Sequence, residues 1–113
     1  MYTETIVILR APTITDRYNS TIADWANAAE IDVPFLVSVQ PAGSTEGGAR
    51  PVTVTTNWRI FTPAGTDLDL LSTDRVKWAA RTLEVVGDIG RWPHPIVPGA
   101  VHHVEVEVQK VSG

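Results

Sequence analysis

The apolar residues of this chain come in short bursts, and nearly every burst is cut off by proline or glycine. Thr5-Ile6-Val7-Ile8-Leu9 stops before Ala11-Pro12, and Phe35-Leu36-Val37-Ser38-Val39 lies between Pro34 and Pro41. Near the C-terminus, Val104, Val106 and Val108 share one face while His103, Glu105, Glu107 and Gln109 share the other. β-Branched bursts of this length, bounded by turn residues, read as strands; a helix would need roughly ten or more residues of 3.6-residue periodicity. Eight glycines and eight prolines supply the punctuation. Six or seven such strands predict an all-β chain, a small antiparallel β-barrel with a long exposed loop. With 113 residues and no internal repeat, one domain over residues 1–113 is expected.

Val52 to Phe61 alternates cleanly, with Val52, Val54, Thr56, Trp58 and Ile60 on one side, and predicts a long half-buried strand. Arg75 to Trp78 and Thr82 to Val86 read as a hairpin around Ala79-Ala80, and Gly87 to Gly99 as a rigid, proline-rich loop. Pro41 to Pro51 holds three glycines between two prolines and no large apolar side chain, so it is expected to be an exposed, mobile loop. Ser20 to Ile31 supports two readings. Ile22, Trp25, Ala26 and Ala29 fall at helical spacing, with Thr21 and Asp24 imitating a capping box. Alternatively, Asp16-Arg17-Tyr18 and Thr21 to Trp25 are the arms of a hairpin turning at Asn19-Ser20.

Residue chemistry excludes several function classes. Thirteen acids against nine bases give a net charge of −4, which argues against a wrapper of nucleic acid. The absence of cysteine removes disulfides, thiolate metal sites and a cysteine nucleophile. His102 and His103 on a strand would point to opposite faces, so with His94 they make a poor metal site. Asp67 with Asp69, and Glu105 with Glu107, read as solvated turn and strand faces rather than a cation site or a glycosidase pair. There is no Gly-x-Ser-x-Gly elbow and no Gly-x-x-x-x-Gly-Lys loop. No catalytic residue, metal or cofactor is expected. No apolar run approaches the ~20 residues of a membrane helix. Met1 to Arg10 lacks the basic start and small-residue cleavage site of a signal peptide, so a cytoplasmic protein, or one built into a particle there, is expected.

Tryptophan is more informative. Trp58 and Trp78 fall on apolar strand faces and are core candidates, and Trp25 is a core or interface candidate. Trp92 sits in Gly90-Arg91-Trp92-Pro93-His94-Pro95, where proline restricts the backbone. It either presents a rigid contact surface or folds back to plug the barrel.

Read together and in order, these stretches resemble a family. They are Asp16-Arg17-Tyr18-Asn19 with Asp24-Trp25; Val33-Pro34 leading to Val39-Gln40-Pro41; Phe61-Thr62-Pro63-Ala64-Gly65-Thr66-Asp67-Leu68; Asp74-Arg75-Val76; Leu83-Glu84-Val85; and Gly90 to Pro95 with His102-His103-Val104-Glu105-Val106. The chain resembles the head-to-tail stopper, or head-closure, proteins of long-tailed bacteriophages, above all those of actinobacterial phages. The resemblance covers most of the chain and carries no catalytic signature.

The resemblance implies a non-enzymatic virion protein of the phage neck, assembled in the host cytoplasm. It would form a six- or twelve-fold ring with itself between the portal–adaptor on the head side and the tail terminator on the tail side. It would retain packaged DNA without sequence-specific binding, and it would have no membrane partner. In that family a long loop plugs the channel, and Gly43, Ser44, Thr45, Glu46, Gly47 and Gly48 occupy the matching segment. An acidic channel suits DNA that must slide without sticking. Ring contacts would come from Ile6, Val7, Ile8 and Leu9, and from Arg91, Trp92 and His94 in the proline-rich loop. At the turn where family members read Tyr-Gly-Asn this chain has Tyr18-Asn19-Ser20, and the resemblance selects the hairpin over Asp16 to Val33. A tail-side neck or tail-terminator protein is the alternative; a small β-barrel that binds peptide or oligonucleotide is another, and would need a basic stripe beside exposed aromatics.

Overall fold

Alternation decides the architecture. In the last strand, Val104, Val106 and Val108 are fully enclosed while their neighbours are half-buried, and Trp58 and Ile60 repeat the pattern in the strand beside it. One-sided burial of this kind belongs to antiparallel sheets with a single core face. The structure, a computed structural model, describes residues 2–42 and 57–111. Its strands are β1 (Val7–Arg10), β2 (Thr13–Thr15), β3 (Thr21–Ala23), β4 (Ala29–Asp32), β5 (Ser38–Pro41), β6 (Asn57–Phe61), β7 (Arg75–Trp78), β8 (Arg81–Pro93) and β9 (Val101–Lys110). A 3-10 turn at Trp25–Asn27 lies between β3 and β4.

Among the described residues, seven strands form one antiparallel sheet in the order β4-β1-β7-β8-β9-β6-β5, and β2 with β3 forms a separate hairpin. The large ladder is open, with β4 and β5 at its edges. One isolated bridge brings its two sides together: Glu4, just before β1, exchanges two backbone hydrogen bonds of 2.9 Å with Val37, just before β5. The sheet therefore curls around its own core as a small barrel-like roll, without a continuous ring of strand pairing. The all-β antiparallel class predicted from the sequence is the observed one.

The core gathers Ile6, Ile8, Val37, Ile60, Val76 and Leu83 with the three valines of β9. Leu68 and Leu70 complete it from a non-strand segment between β6 and β7. Two arginines hold that segment in place. Arg91 of β8 donates from Nη2 to the carbonyls of Leu68 (3.0 Å) and Leu70 (2.8 Å). Arg10, at the end of β1, forks onto the buried Asp74 carboxylate at 2.7–3.3 Å. The same carboxylate accepts the Leu71 backbone N–H at 2.8 Å. Donating to the Asp74 carboxylate raises the Arg10 pKa further above its already high ordinary value.

Several boundaries differ from the sequence reading. A hairpin is present here, but it spans Thr13–Ala23 and not Asp16–Val33: its arms are Thr13–Thr15 and Thr21–Ala23, and Asp16–Ser20 is the turn. The Asp16 carboxylate accepts the N–H groups of Tyr18 (2.8 Å) and Ser20 (2.9 Å), which commits Asp16 to the turn and not to an arm. The helical spacing over Ser20–Ile31 yields only the 3-10 turn, where the Arg75 guanidinium sits 4.1 Å from the Trp25 ring centroid. β5 begins at Ser38 rather than Phe35. The predicted loop from Gly87 to Gly99 is instead mostly strand, because β8 runs on to Pro93 through a register shift between Val86 and Gly90. Gly87, at φ +72°, supplies the left-handed residue there. Residues 52–56 of the predicted Val52–Phe61 strand lie outside the described residues.

The β7–β8 turn stores strain. Ala79 and Ala80 both take positive φ, 49° and 64°, as a two-residue turn of this hand requires. An L-residue with a Cβ gives up roughly 1–2 kcal/mol in that conformation, and Asn-Gly gives up far less. Ala79→Asn combined with Ala80→Gly is therefore expected to raise the thermal midpoint by about 4–8 °C, roughly 1 kcal/mol. A calorimetric scan checks this, and an unchanged or lower midpoint would contradict the strained turn.

Candidate interaction surface

The large apolar side chains that the fold leaves uncovered concentrate at two hairpin tips. On the β8–β9 tip, Trp92 is 51% exposed, Ile96 80% and Val97 48%. On the β2–β3 tip, Tyr18 is 78% exposed, and Ile14 and Ile22, paired directly across the hairpin, are also exposed.

The β8–β9 tip is built from aromatic and imidazole rings. Trp92 stacks on His103 at 6.0 Å between centroids and 16° between planes. His103 Nε2 lies 2.8 Å from Glu105 Oε2, and His103 Nδ1 lies 2.9 Å from His102 Nδ1. His102 in turn meets the edge of His94 at 5.7 Å. The sequence expectation that His102 and His103 point apart fails for a local reason. Trp92 pairs with His103 but Pro93 pairs with Val101, so His102 is the extra residue of a β-bulge. A bulge re-aims side chains, and the two rings meet.

Hydrogen bonding orders the protons along this row. His94 Nδ1 accepts the backbone N–H groups of Ile96 (3.1 Å) and Val97 (3.0 Å), so its proton sits on Nε2. With His103 Nε2–H donating to Glu105, a neutral His103 presents Nδ1 as an acceptor and His102 donates to it. His94 thus shapes the turn that presents Ile96 and Val97, and His103 supports the face of Trp92. Among the described residues no group of three or more potential ligands could hold a metal ion. The cleft beside His102 and His103, bordered by Tyr2, Phe61 and Thr62, has a volume of about 270 Å³, below the roughly 300–1,000 Å³ of most small-molecule sites.

The predicted site residues separate. Trp92 and His94 stand together at the β8–β9 tip, but Trp92 lies on strand β8 rather than in a loop, and it does not fold back as a plug. Leu68 and Leu70 fill the interior instead. Arg91, itself exposed, lies across the Asp67–Leu70 segment and ties it to β8. Ile6 and Ile8 point into the core, leaving Val7 and Leu9, half-buried, on the outer face of the Ile6–Leu9 run. Both edges of β1 are already paired, to β4 and β7. Gly43, Ser44, Thr45, Glu46, Gly47 and Gly48 lie outside the described residues. Sequence reasoning missed Tyr18, Ile14, Ile22, Ile96 and Val97. The available signal was Ile96-Val97 fenced between Pro95 and Pro98, two apolar residues in a segment too constrained to bury them.

Comparison with known proteins yields a fold and no family. No protein-family model matches the chain, and no curated protein matches it. Among solved structures it is similar to the solution structure of protein SF1141 from Shigella flexneri 2a, with a TM-score of 0.60. The likeness covers 98% of this chain and 94% of that one at 18% sequence identity. At that identity the likeness is one of fold alone.

Proposed function

We propose that this chain is a head-closure protein of a long-tailed bacteriophage, a non-enzymatic subunit that forms a ring in the neck between portal–adaptor and tail. The observation that carries the reading is the pair of apolar hairpin tips, which hold most of the large exposed apolar side chains of a small body. Exposed Trp92, Ile96 and Val97 on one tip and Tyr18, Ile14 and Ile22 on the other are surfaces for protein contact. The ordered series of short motifs from Asp16 to Val106 supplies the family to which such a subunit is compared. The net charge of −4 suits a protein beside a DNA channel that makes no lasting phosphate contacts.

The test is electron microscopy of lysates from a phage lacking this gene. Full-length free tails beside tailless heads that packaged DNA and then lost it are the expected outcome. Heads that stay filled beside malformed tails would move the protein to the tail side and overturn the head-closure reading.

A further inference from the structure

We infer that the β2–β3 hairpin of one copy docks, through Tyr18 and Arg17, into the acidic-rimmed apolar cleft beside β4 of the next copy. This contact deepens the ring proposed above and rests on that reading only for its closure into a ring.

Three features of the molecule meet here. The first is an uncovered donor. Every residue of β2 and β3 is exposed, and a two-stranded hairpin is marginally stable in water without something to pack on. Its turn is nonetheless well formed, through the Asp16 carboxylate and Asn19 at φ 69°. The tip therefore presents Tyr18 and Arg17 in a defined geometry, with the guanidinium 5.7 Å from the Tyr18 ring centroid.

The second is a fitting acceptor. A cleft of about 230 Å³ opens beside β4, too small for most small-molecule ligands and suited to one large side chain. Val33 and Leu68 form its apolar floor, Ile31 and Phe35 flank it, and Asp32 and Asp69 stand at its rim.

The third is charge. Arg17 has no carboxylate partner among the described residues, and Asp32 has no cationic partner among them. The other cleft acids are already engaged, Asp69 by Arg10 and Asp67 by Arg91. One unpaired cation stands on the tip and one unpaired anion on the cleft.

Placement makes the contact intermolecular. β2 and β3 leave the β1–β4 ladder at its Arg10–Ala29 end, whereas the cleft lies toward the Val7–Asp32 end. Donor and acceptor are different surfaces of the same subunit. A contact of that kind is head-to-tail, and it either closes into a ring or runs on as a filament. One hairpin tip covers less than the ~800 Å² per partner of a stable interface, so free chains associate weakly and the test must trap the contact.

The absence of cysteine makes trapping clean. The experiment mixes a full-length Ser20→Cys copy with a full-length Pro34→Cys copy, Pro34 being an exposed residue of the cleft. A short bis-maleimide is added and the products are resolved on a denaturing gel with mass spectrometry. Leu36→Cys, at an exposed position beside Phe35, substitutes for Pro34→Cys if that copy does not fold. The mixture is expected to give heterodimer at several-fold the homodimer yield of either copy alone. Adding Arg17→Glu to the hairpin copy is expected to remove that excess, and adding Asp32→Lys to the cleft copy to restore it. A yield indifferent to both charge changes, or a dominant Ser20→Cys homodimer, would overturn the contact. Rings seen by microscopy without the heterodimer would likewise overturn it while leaving the head-closure reading standing. The charge-dependent heterodimer, found for a protein whose loss leaves heads filled, would uphold the contact while the head-closure reading falls.

Discussion

Arg10→Ala is expected to destabilise the chain by about 3 kcal/mol and to lower its thermal midpoint by on the order of 15 °C. The Asp74 side chain is 2% exposed, and its carboxylate accepts both the Arg10 fork and the Leu71 N–H. Removing the arginine leaves a buried carboxylate without its cation, which is costlier than the loss of one hydrogen bond. The Arg10 side chain is 32% exposed, and water entering the vacated space moderates the cost. Asp74→Asn keeps an acceptor for Leu71 and leaves Arg10 partly solvated, so it is expected to cost less, about 1–2 kcal/mol. The order of the two variants in urea unfolding is the measurement. Asp74→Asn proving the more damaging would contradict the argument from buried charge. Arg10 itself adds no pH dependence in the ordinary range. Its folded pKa is raised, by the Asp74 hydrogen bond first, so its contribution is complete below the unfolded value and is lost only as pH rises through the still higher folded one.

The parts of the fold legible in the sequence are those where a period of two runs uninterrupted. β9 and the core face of β6 could be read because Val104, Val106, Val108, Trp58 and Ile60 alternate with polar residues. The run Ile6–Leu9 reads as a contact surface because it has no polar face to mark which residues turn inward, and nothing local says that Ile6 and Ile8 enter the core or that neighbouring strands pair with both edges. Illegible features arise from register. The bulge at His102 and the shift between Val86 and Gly90 insert residues into the ladder. They turn a predicted loop into strand and bring together two histidines that simple alternation sends to opposite faces. Gly87 is a signal for such a shift, yet with Pro93, Pro95 and Pro98 close behind it a loop is the cheaper local reading.

The candidate surface was legible in part for a similar reason. Trp92 announces itself by size and by its rigid neighbours. Arg91 beside it is its equal in sequence, but strand geometry sends adjacent side chains to opposite faces; Arg91, though exposed, is spent on the Leu68 and Leu70 carbonyls, while the Trp92 ring is stacked on one side only and stays half in solvent. Tyr18 was hidden by its treatment as part of a hairpin arm. Only the Asp16 carboxylate, closing on the N–H groups of Tyr18 and Ser20, places the tyrosine at the apex.

This division between brace and contact gives the second large effect. Leu70→Ala is expected to cost about 3–5 kcal/mol, because Leu70 is fully enclosed and Arg91, Arg10 and Asp74 pin its segment, which limits collapse into the cavity. Arg91→Met keeps the aliphatic stem but removes the donors to Leu68 and Leu70, and is expected to cost about 1.5–3 kcal/mol. Trp92→Ala removes a ring that is half in solvent and stacked on one face only, and is expected to cost the isolated chain under about 1 kcal/mol. The three are compared by urea unfolding of the isolated protein and then, as a test of the proposed head-closure role, by joining heads to tails in a complementation assay with phage lacking the gene. Leu70→Ala should fail in both measurements. Trp92→Ala should fold nearly as the parent does and join poorly, because its exposed face is the part of the tip that a partner would cover. A Trp92→Ala chain that melts as early as Leu70→Ala would make the tryptophan a support of the core and remove the β8–β9 tip as a contact surface.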